Sequence, residues 1–322
     1  MFLTGLTKGP GGLDPLILLL FALVLDALVG PWFSARRLSW HPLNLFAGVV
    51  AWCDRKLNRT HRSTTDRAMR GAFMVLVLVI LAGGFGYGIA WLARHIPEGF
   101  LLELLAILFL IDQRAVHDHV RRVSAALSNE SLDAARERLQ AVSGSGAANL
   151  DSHAIARTAI EIAARSFAFG VVAPAFWYAL FGLPGLVVLR AVAVIDDVVG
   201  EPSDRHRAFG FVAARLDEVL ILIPSPIAGL FLVIGSLFVP TAKPGRALRT
   251  MTGPSGGGRA LRWPVGAMAG ALDVALAGRS GWIGRGTARA RALDIRRALF
   301  LFTVGCLLNG VAVAAIAVAR LV

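Results

Sequence analysis

The sequence predicts an all-α, polytopic integral membrane protein with about five transmembrane helices, re-entrant or surface-lying helices, and cytoplasmic helical loops. Two observations lead there. The chain of 322 residues is 56% hydrophobic and only 17% charged, with a mean hydropathy of +0.65. Its apolar residues also gather in runs near the thickness of a bilayer core instead of spreading as helical stripes.

The clearest span is 72–93, AFMVLVLVILAGGFGYGIAWLA, which carries no charge, followed by 299–319, LFLFTVGCLLNGVAVAAIAVA. Residues 15–30 are shorter and carry Asp26 near one end. No basic stretch with a small-residue cleavage site precedes them, so they read as a retained span. Residues 99–111 are apolar except for Glu103, and a buried core helix is the alternative reading there. Residues 167–195 read as a hairpin or broken span, because LFGLPG interrupts them. Residues 219–240 are long enough to cross, but PSP at 224–226 breaks a helix near its start. A re-entrant or surface-lying segment there keeps both basic loops on one side.

The formal charge is +12, and all the basic residues except Lys8, Lys56 and Lys243 are arginine. On a soluble domain this balance suggests nucleic acid. Here the charges crowd the loops beside the spans, the aromatic residues lie in or beside apolar runs, and a positive-inside bias is the simpler cause. Nucleic acid is therefore excluded as a partner, and the basic loop 31–70 is placed on the cytoplasmic side. Cys53 and Cys306 are isolated in sequence and form neither a disulfide framework nor a CxxC metal site.

The whole of 1–322 reads as one membrane domain, with a polar helical section at about 112–166 and a basic, Gly-rich loop at about 241–298. In the polar section Ser128 or Asn129 is placed to cap a helix whose Leu132, Ala135, Leu139 and Val142 share a face. A second helix starts near Asp151 or Ser152, with Ile155, Thr158 and Ile162 roughly aligned. Glu161 lies within a turn of Arg157 and Arg165, either of which can pair with it.

The densest charge lies in VIDDVVGEPSDRHRAFGFVAARLDEV, residues 194–219. Carboxylates at a membrane edge can bind Mg²⁺, and neighbouring arginines can hold phosphate oxygens. A solvated, salt-bridged rim is the competing reading. His117 and His119, two apart, face different directions on a helix and make a poor metal pair. His41-Pro42 reads as a positioned base or ligand, or as a structural turn. GPSGGG, at 253–258, can cradle phosphate but lacks the Lys-Ser/Thr end of a P-loop, so a flexible linker competes with that reading.

Taken in order, these strings resemble the CobD/CbiB family of cobalamin-biosynthesis membrane proteins. The resemblance runs through LDALVG (25–30), HPLNLFAG (41–48), SLDAARERLQAVSG (131–144), IARTAIE (155–161), GVVAPAFWYALFGLPG (170–185), VIDDVVG (194–200), FGFVAARLDEV (209–219), AMAGAL (267–272) and GWIGR (281–285). It implies an adenosylcobinamide-phosphate synthase in a bacterial inner membrane. Such a ligase joins adenosylcobyric acid to aminopropanol or its phosphate at the expense of ATP, with Mg²⁺. Membrane lipid surrounds it, and a second copy or other cobalamin-pathway proteins are its implied partners.

Carried over by position, the resemblance makes Asp196 and Asp217 candidates for Mg²⁺. It makes Arg205, Arg215 and Gly200 candidates for cofactor binding, and His41 and Glu161 candidates for catalytic, orienting groups. Several polar positions of the family pattern are replaced here, including those at Arg165, Ser166, Phe169, Ala193, Val194, Glu201 and Pro202. A member with altered or lost catalysis and a regulatory or sensory role, as in the related AmpE proteins, is the alternative.

Overall fold

The computed structural model describes residues 13–29, 41–59, 62–143, 147–201, 203–253, 259–278 and 281–321. Among the described residues the regular elements are helices, apart from one short hairpin. In chain order the helices are α1 (Pro15–Val29), α2 (Pro42–Leu57), α3 (Thr64–His95), α4 (Phe100–Leu110), α5 (Gln113–Asn129), α6 (Leu132–Ser143), α7 (Ser152–Phe167), α8 (Ala173–Val199), α9 (Phe211–Leu222), α10 (Pro224–Gly235), α11 (Pro244–Thr252) and α12 (Arg259–Leu272). Strands β1 (Leu276–Gly278) and β2 (Gly281–Ile283) pair antiparallel, and α13 (Ala292–Leu321) follows.

Among the described residues, three helical stretches are long and apolar enough to cross a membrane: Thr64–His95, Ser152–Val199 and Ala292–Arg320. The number is four if Phe211–Leu222 and Pro224–Phe238 count as one broken span. This is the make-up of a multi-pass membrane protein, with fewer helices meeting the length test than the five expected. Pro15–Val29 is apolar but short. The break expected at PSP falls at Ile223, which precedes Pro224 at the first turn of α10. Residues 167–195 are broken within LFGLPG, the broken span being one of the two forms expected. They run through a π-helical turn, Ala168–Val172, into α8, whose Gly182 has a non-helical backbone (φ 64, ψ −155) just before Pro184.

The chain divides into two compact units. The first comprises 1–111, 173–221 and 313–322. In it α3 begins at Ser63, whose hydroxyl accepts from the Asp66 N–H at 3.2 Å, and stops at Ile96 before Pro97. One face of α3 is buried through Met74, Leu78, Ala82, Gly86 and Ala90, and the opposite face exposes Phe73, Ile80, Phe85 and Trp91. In a bilayer that exposed face meets lipid. Gly86 lets α3 approach the α8 break closely, since a Cβ there lies 2.9 Å from Pro184 Cα. On α2, Leu45, Val49 and Trp52 form an exposed apolar stripe while Val50 and Asp54 turn inward, as in a surface-lying helix. A core of Val50, Met74, Val75, Leu78, Ile195, Val199, Phe209 and Ala213 ties α2, α3, α8 and α9 together.

The second unit comprises 112–172 and 222–312. Helix α7 starts at Asp151, whose carboxylate accepts from the Ala154 N–H at 2.6 Å. Its buried stripe is Ile155, Ala156, Ala159, Ile160, Ala163, Ala164 and Phe167, with Thr158 and Ile162 at the margin of it. The cap of α6 is Ser131, whose Oγ accepts from the Ala134 N–H at 3.1 Å. Ser128 and Asn129 lie instead in the last turn of α5. Ala135 and Leu139 are buried as expected, Leu132 is exposed, and the side chain of Val142 lies outside the described residues. The basic, Gly-rich stretch 241–298 holds α11, α12 and the hairpin. Its glycines serve close packing: a Cβ on Gly270 lies 2.4 Å from Arg246 O, and one on Gly266 lies 3.0 Å from Thr250 O. Residues 254–258 of GPSGGG lie outside the described residues, as do Gly30, Pro31, residues 144–146 and Pro202.

Candidate functional site

In the first unit the segment 200–210 closes on itself. Gly210 N–H donates to His206 O at 2.7 Å, and Gly200 N–H to Asp196 O at 2.7 Å. A Cβ on Gly210 lies 1.7 Å from Val199 O and 3.2 Å from Gly200 Cα, so only glycine lets the two ends of the loop touch. The same segment lies against α3, where a Cβ on Gly71 is 2.0 Å from Phe209 O. The C-terminus of α8 and the N-terminus of α9 are thereby held together. Asp196 sits one turn before that junction and Asp217 within two turns after it. A carboxylate oxygen of Asp196 lies where a Gly200 Cβ would stand, at 1.8 Å, so Gly200 makes room for Asp196.

The loop is fixed by a polar hub that sequence reasoning did not assemble. Arg205 donates through an Nη to Asp54 Oδ2 at 2.7 Å, and the Asp54 side chain is nearly inaccessible to solvent. Asn58 donates from Nδ2 to Asp54 Oδ1 at 2.8 Å and to Arg205 O at 3.0 Å. Arg67 donates through Nε to Asn58 Oδ1 at 2.8 Å and also reaches Arg205 O. His206 Nε2 is 3.4 Å from Asp54 Oδ1, a distance at which an imidazolium ion-pairs although the alignment is poor for a hydrogen bond. The Ser203 hydroxyl meets His206 Nδ1 at 3.3 Å and accepts from the His206 N–H at 3.2 Å. Asp54 and Asn58 share one face of α2 by their four-residue spacing, the one signal of the hub available from sequence.

Arg205 thus belongs to the loop's own scaffold. Arg215 pairs with Glu218 at 2.6 Å, lies over the Phe211 ring and is largely exposed. His41 is fully buried as the cap of α2. Its Nδ1 accepts from the Leu43 N–H at 3.2 Å, and its ring meets Phe109 edge-on at 5.3 Å. The structure therefore brings Asp196, Gly200, Arg205, Arg215 and Asp217 onto one loop and its two flanking helices, with His41 at the start of the helix that anchors it. Glu161 lies on α7 in the second unit, where Arg157 bonds to Ala288 O and lies over the Trp282 ring.

Two hollows are lined by described residues of the second unit. One, of about 420 Å³, is lined by His117, Arg121, Ser124, Asn129, Arg296 and Thr303 among others. Here buried Asp118 lies within 4 Å of Arg114, His117 and Arg121. Burial pushes the His117 imidazole below its ordinary pKa, more strongly than Asp118 pulls it up. The unfolded chain therefore takes up this proton first, and stability falls as pH drops through the free-histidine value of about 6.5. We expect acidification from pH 7.5 to 5.5 to lower the melting midpoint, and His117→Gln to lose part of that fall. An equal fall in both proteins removes His117 as the cause. The other hollow, of about 580 Å³, lies between α11, α12 and the hairpin.

The profile of the CobD/Cbib protein family matches residues 19–302. The chain belongs to that family. It is 35% identical over 309 residues to the cobalamin biosynthesis protein CobD of Rhizobium meliloti (strain 1021), covering 90% of this chain and 93% of that one. It is also 35% identical over 274 residues to the Sinorhizobium sp protein of the same name, covering 82% and 83%. The Rhodobacter capsulatus CobD is 30% identical over 299 residues, covering 88% and 92%. No solved structure matches the chain. The family match takes in the closed loop, its hub and the described lining of the cleft between α11, α12 and the hairpin, whereas Thr303 of the first hollow lies one residue beyond it.

Proposed function

We propose that this CobD/CbiB family member serves cobalamin biosynthesis as an ATP-dependent ligase that joins adenosylcobyric acid to aminopropanol or its phosphate. The observation that supports this reading most is similarity along nearly the full length of both chains to proteins named for that pathway. In the proposed reaction the corrinoid carboxylate oxygen takes the terminal phosphoryl group of ATP and ADP leaves. The amine nitrogen then attacks the acyl carbon, the C–N bond forms, and phosphate departs as the nitrogen loses a proton. Oriented positive charge favours both steps, because negative charge develops on the phosphoryl and acyl oxygens.

Among the described residues, no group of three or more His, Cys, Asp or Glu side chains is gathered for a metal. A metal held wholly by the protein is therefore no part of the proposal. Mg²⁺ commonly takes one or two carboxylates and completes its shell with phosphate oxygens and water, neutralising charge on the transferred group. Asp196 and Asp217, on helices joined at Gly200 and Gly210, are the pair we assign to that task. Arg215 faces solvent and exchanges Glu218 for phosphate at little cost, as exposed ion pairs are weak. Arg205 and His41 act by holding the loop and α2 in place, and Glu161 is retained as an orienting group. We place the protein in the bacterial inner membrane as a single domain of about five crossings, with its main charged loops cytoplasmic.

One observation favours the alternative of a regulatory or sensory member: both candidate phosphate-binding arginines, Arg205 on the loop and Arg215 on α9, are already engaged by carboxylates of the chain itself. Membranes containing the protein, supplied with adenosylcobyric acid, aminopropanol phosphate and Mg-ATP, separate the two. We expect an amidated corrinoid with matching ATP consumption. A folded protein that yields no corrinoid product contradicts the ligase reading and supports the alternative.

A further inference from the structure

The cleft between α11, α12 and the hairpin is built with unusual economy of space. A Cβ on Gly286 would lie 2.0 Å from the backbone of Asp273, and one on Gly270 would strike α11. Gly284 has φ +90, and Asp273 itself has φ 57, a conformation that non-glycine residues seldom hold outside functional or over-determined positions. The Asp273 carboxylate takes Lys243 Nζ at 2.6 Å and also pairs with Arg246. These hydrogen bonds, that from Lys243 foremost, hold Asp273 below the usual carboxylate range, so it is ionised at neutral pH and committed to both cations.

Two further arginines line the same cleft, Arg249 one turn along α11 from Arg246 and Arg285 beyond β2. Among the described residues neither makes an ion pair or side-chain hydrogen bond within the chain. Among the described residues the sole carboxylate in the lining is the one already shared by Lys243 and Arg246. The described lining is thus three guanidinium groups and one spent carboxylate, together with Trp282, Thr250, Ala269 and glycine backbone. A concave wall with that excess of positive charge concentrates anions. Guanidinium forks match the oxygens of phosphate two at a time.

We propose that this cleft is a binding site for a terminal phosphate group, a phosphomonoester or the end of a polyphosphate, gripped by Arg249 and Arg285. Two cations that pair with no described residue balance a doubly ionised phosphate, whereas a lipid phosphodiester brings a single charge. The volume of about 580 Å³ leaves room for the organic part of the ligand beside Trp282. The proposal goes beyond the ligase reading, which needs phosphate-bearing reactants but assigns none of them to this cleft.

The test uses the full chain in nanodiscs of phosphatidylcholine, with orthophosphate, inorganic triphosphate, ATP and phosphoethanolamine as probes in equilibrium dialysis. We expect at least one probe to bind, R249A/R285A to weaken it about tenfold or more, and R249K/R285K to recover part of the loss. Melting midpoints identify any variant that fails to fold, and the lysine variant then carries the comparison. Binding of triphosphate and ATP without phosphoethanolamine supports the site with a nucleotide as source. The reverse preference supports it with a phosphorylated amine as source. The proposal is overturned if no probe binds or if R249A/R285A binds as tightly as the native protein. Corrinoid amidation followed in the same preparations shows separately whether the ligase reading stands.

Discussion

Gly210→Ala is expected to lower the melting midpoint of the detergent-purified protein by about 5 °C or more, with a matching loss of monodisperse yield. The added methyl would stand 1.7 Å from Val199 O and 2.7 Å from Val199 C. Both obstacles are backbone atoms, so no rotamer change relieves the clash. Relief requires the loop to open, which pulls the end of α8 from the start of α9 and strips cover from Phe209 and Val199 in the core beneath. Overpacking of this kind costs about 1–3 kcal/mol even where side chains can yield. Gly210→Val should leave little folded protein. A Gly210→Ala protein with a native midpoint would show that the ends of the loop do not meet as described.

Asp54→Ala is expected to cost about 2–4 kcal/mol, the second large effect. Asp54 is the carboxylate to which Arg205, Asn58 and His206 all converge, and its removal leaves the buried Asn58 amide short of an acceptor. The Arg205 side chain is 48% exposed, so water recovers part of the lost ion pair, and the figure stands below that for a fully buried pair. Asp54→Asn keeps an oxygen acceptor and should cost less than half as much. Thermal melts of the two variants beside the native protein check the order. Equal stability of Asp54→Ala and native protein would contradict the hub's part in holding the loop.

What the sequence made legible follows from the range of the forces involved. The apolar span 72–93 lies inside α3, and 299–319 lies inside α13, because hydrophobic burial in a bilayer is written in consecutive residues. Both helices extend further, through polar ends such as Thr64–Arg70 and Arg94–His95, that hydropathy leaves out. The Gly-rich stretch 241–298 read as a loop since glycine is a poor helix former. Gly266 and Gly270 are tolerated because they buy contact between α11 and α12 that a Cβ forbids. The cap of α6 was displaced because α5 runs on to Asn129, leaving Ser131 as the first free hydroxyl.

The site divides in the same way. The family strings singled out Asp196, Gly200, Arg205, Arg215 and Asp217, and the structure sets them on one closed loop and its flanking helices. That closure rests on Gly210 against Val199 and on Arg205 against Asp54, a partner 151 residues distant. No local pattern reports such a pairing. His41 is the converse case, a residue of the family pattern whose visible work is to cap α2 beneath the hub.

The central claim is that the carboxylates flanking this loop carry chemistry. Corrinoid amidation by D196A and D217A proteins, normalised to their folded yield, tests it most directly. The account predicts that turnover falls much further than folded yield in both variants. A fall in turnover no greater than the fall in folded protein would contradict it and return both carboxylates to a structural role.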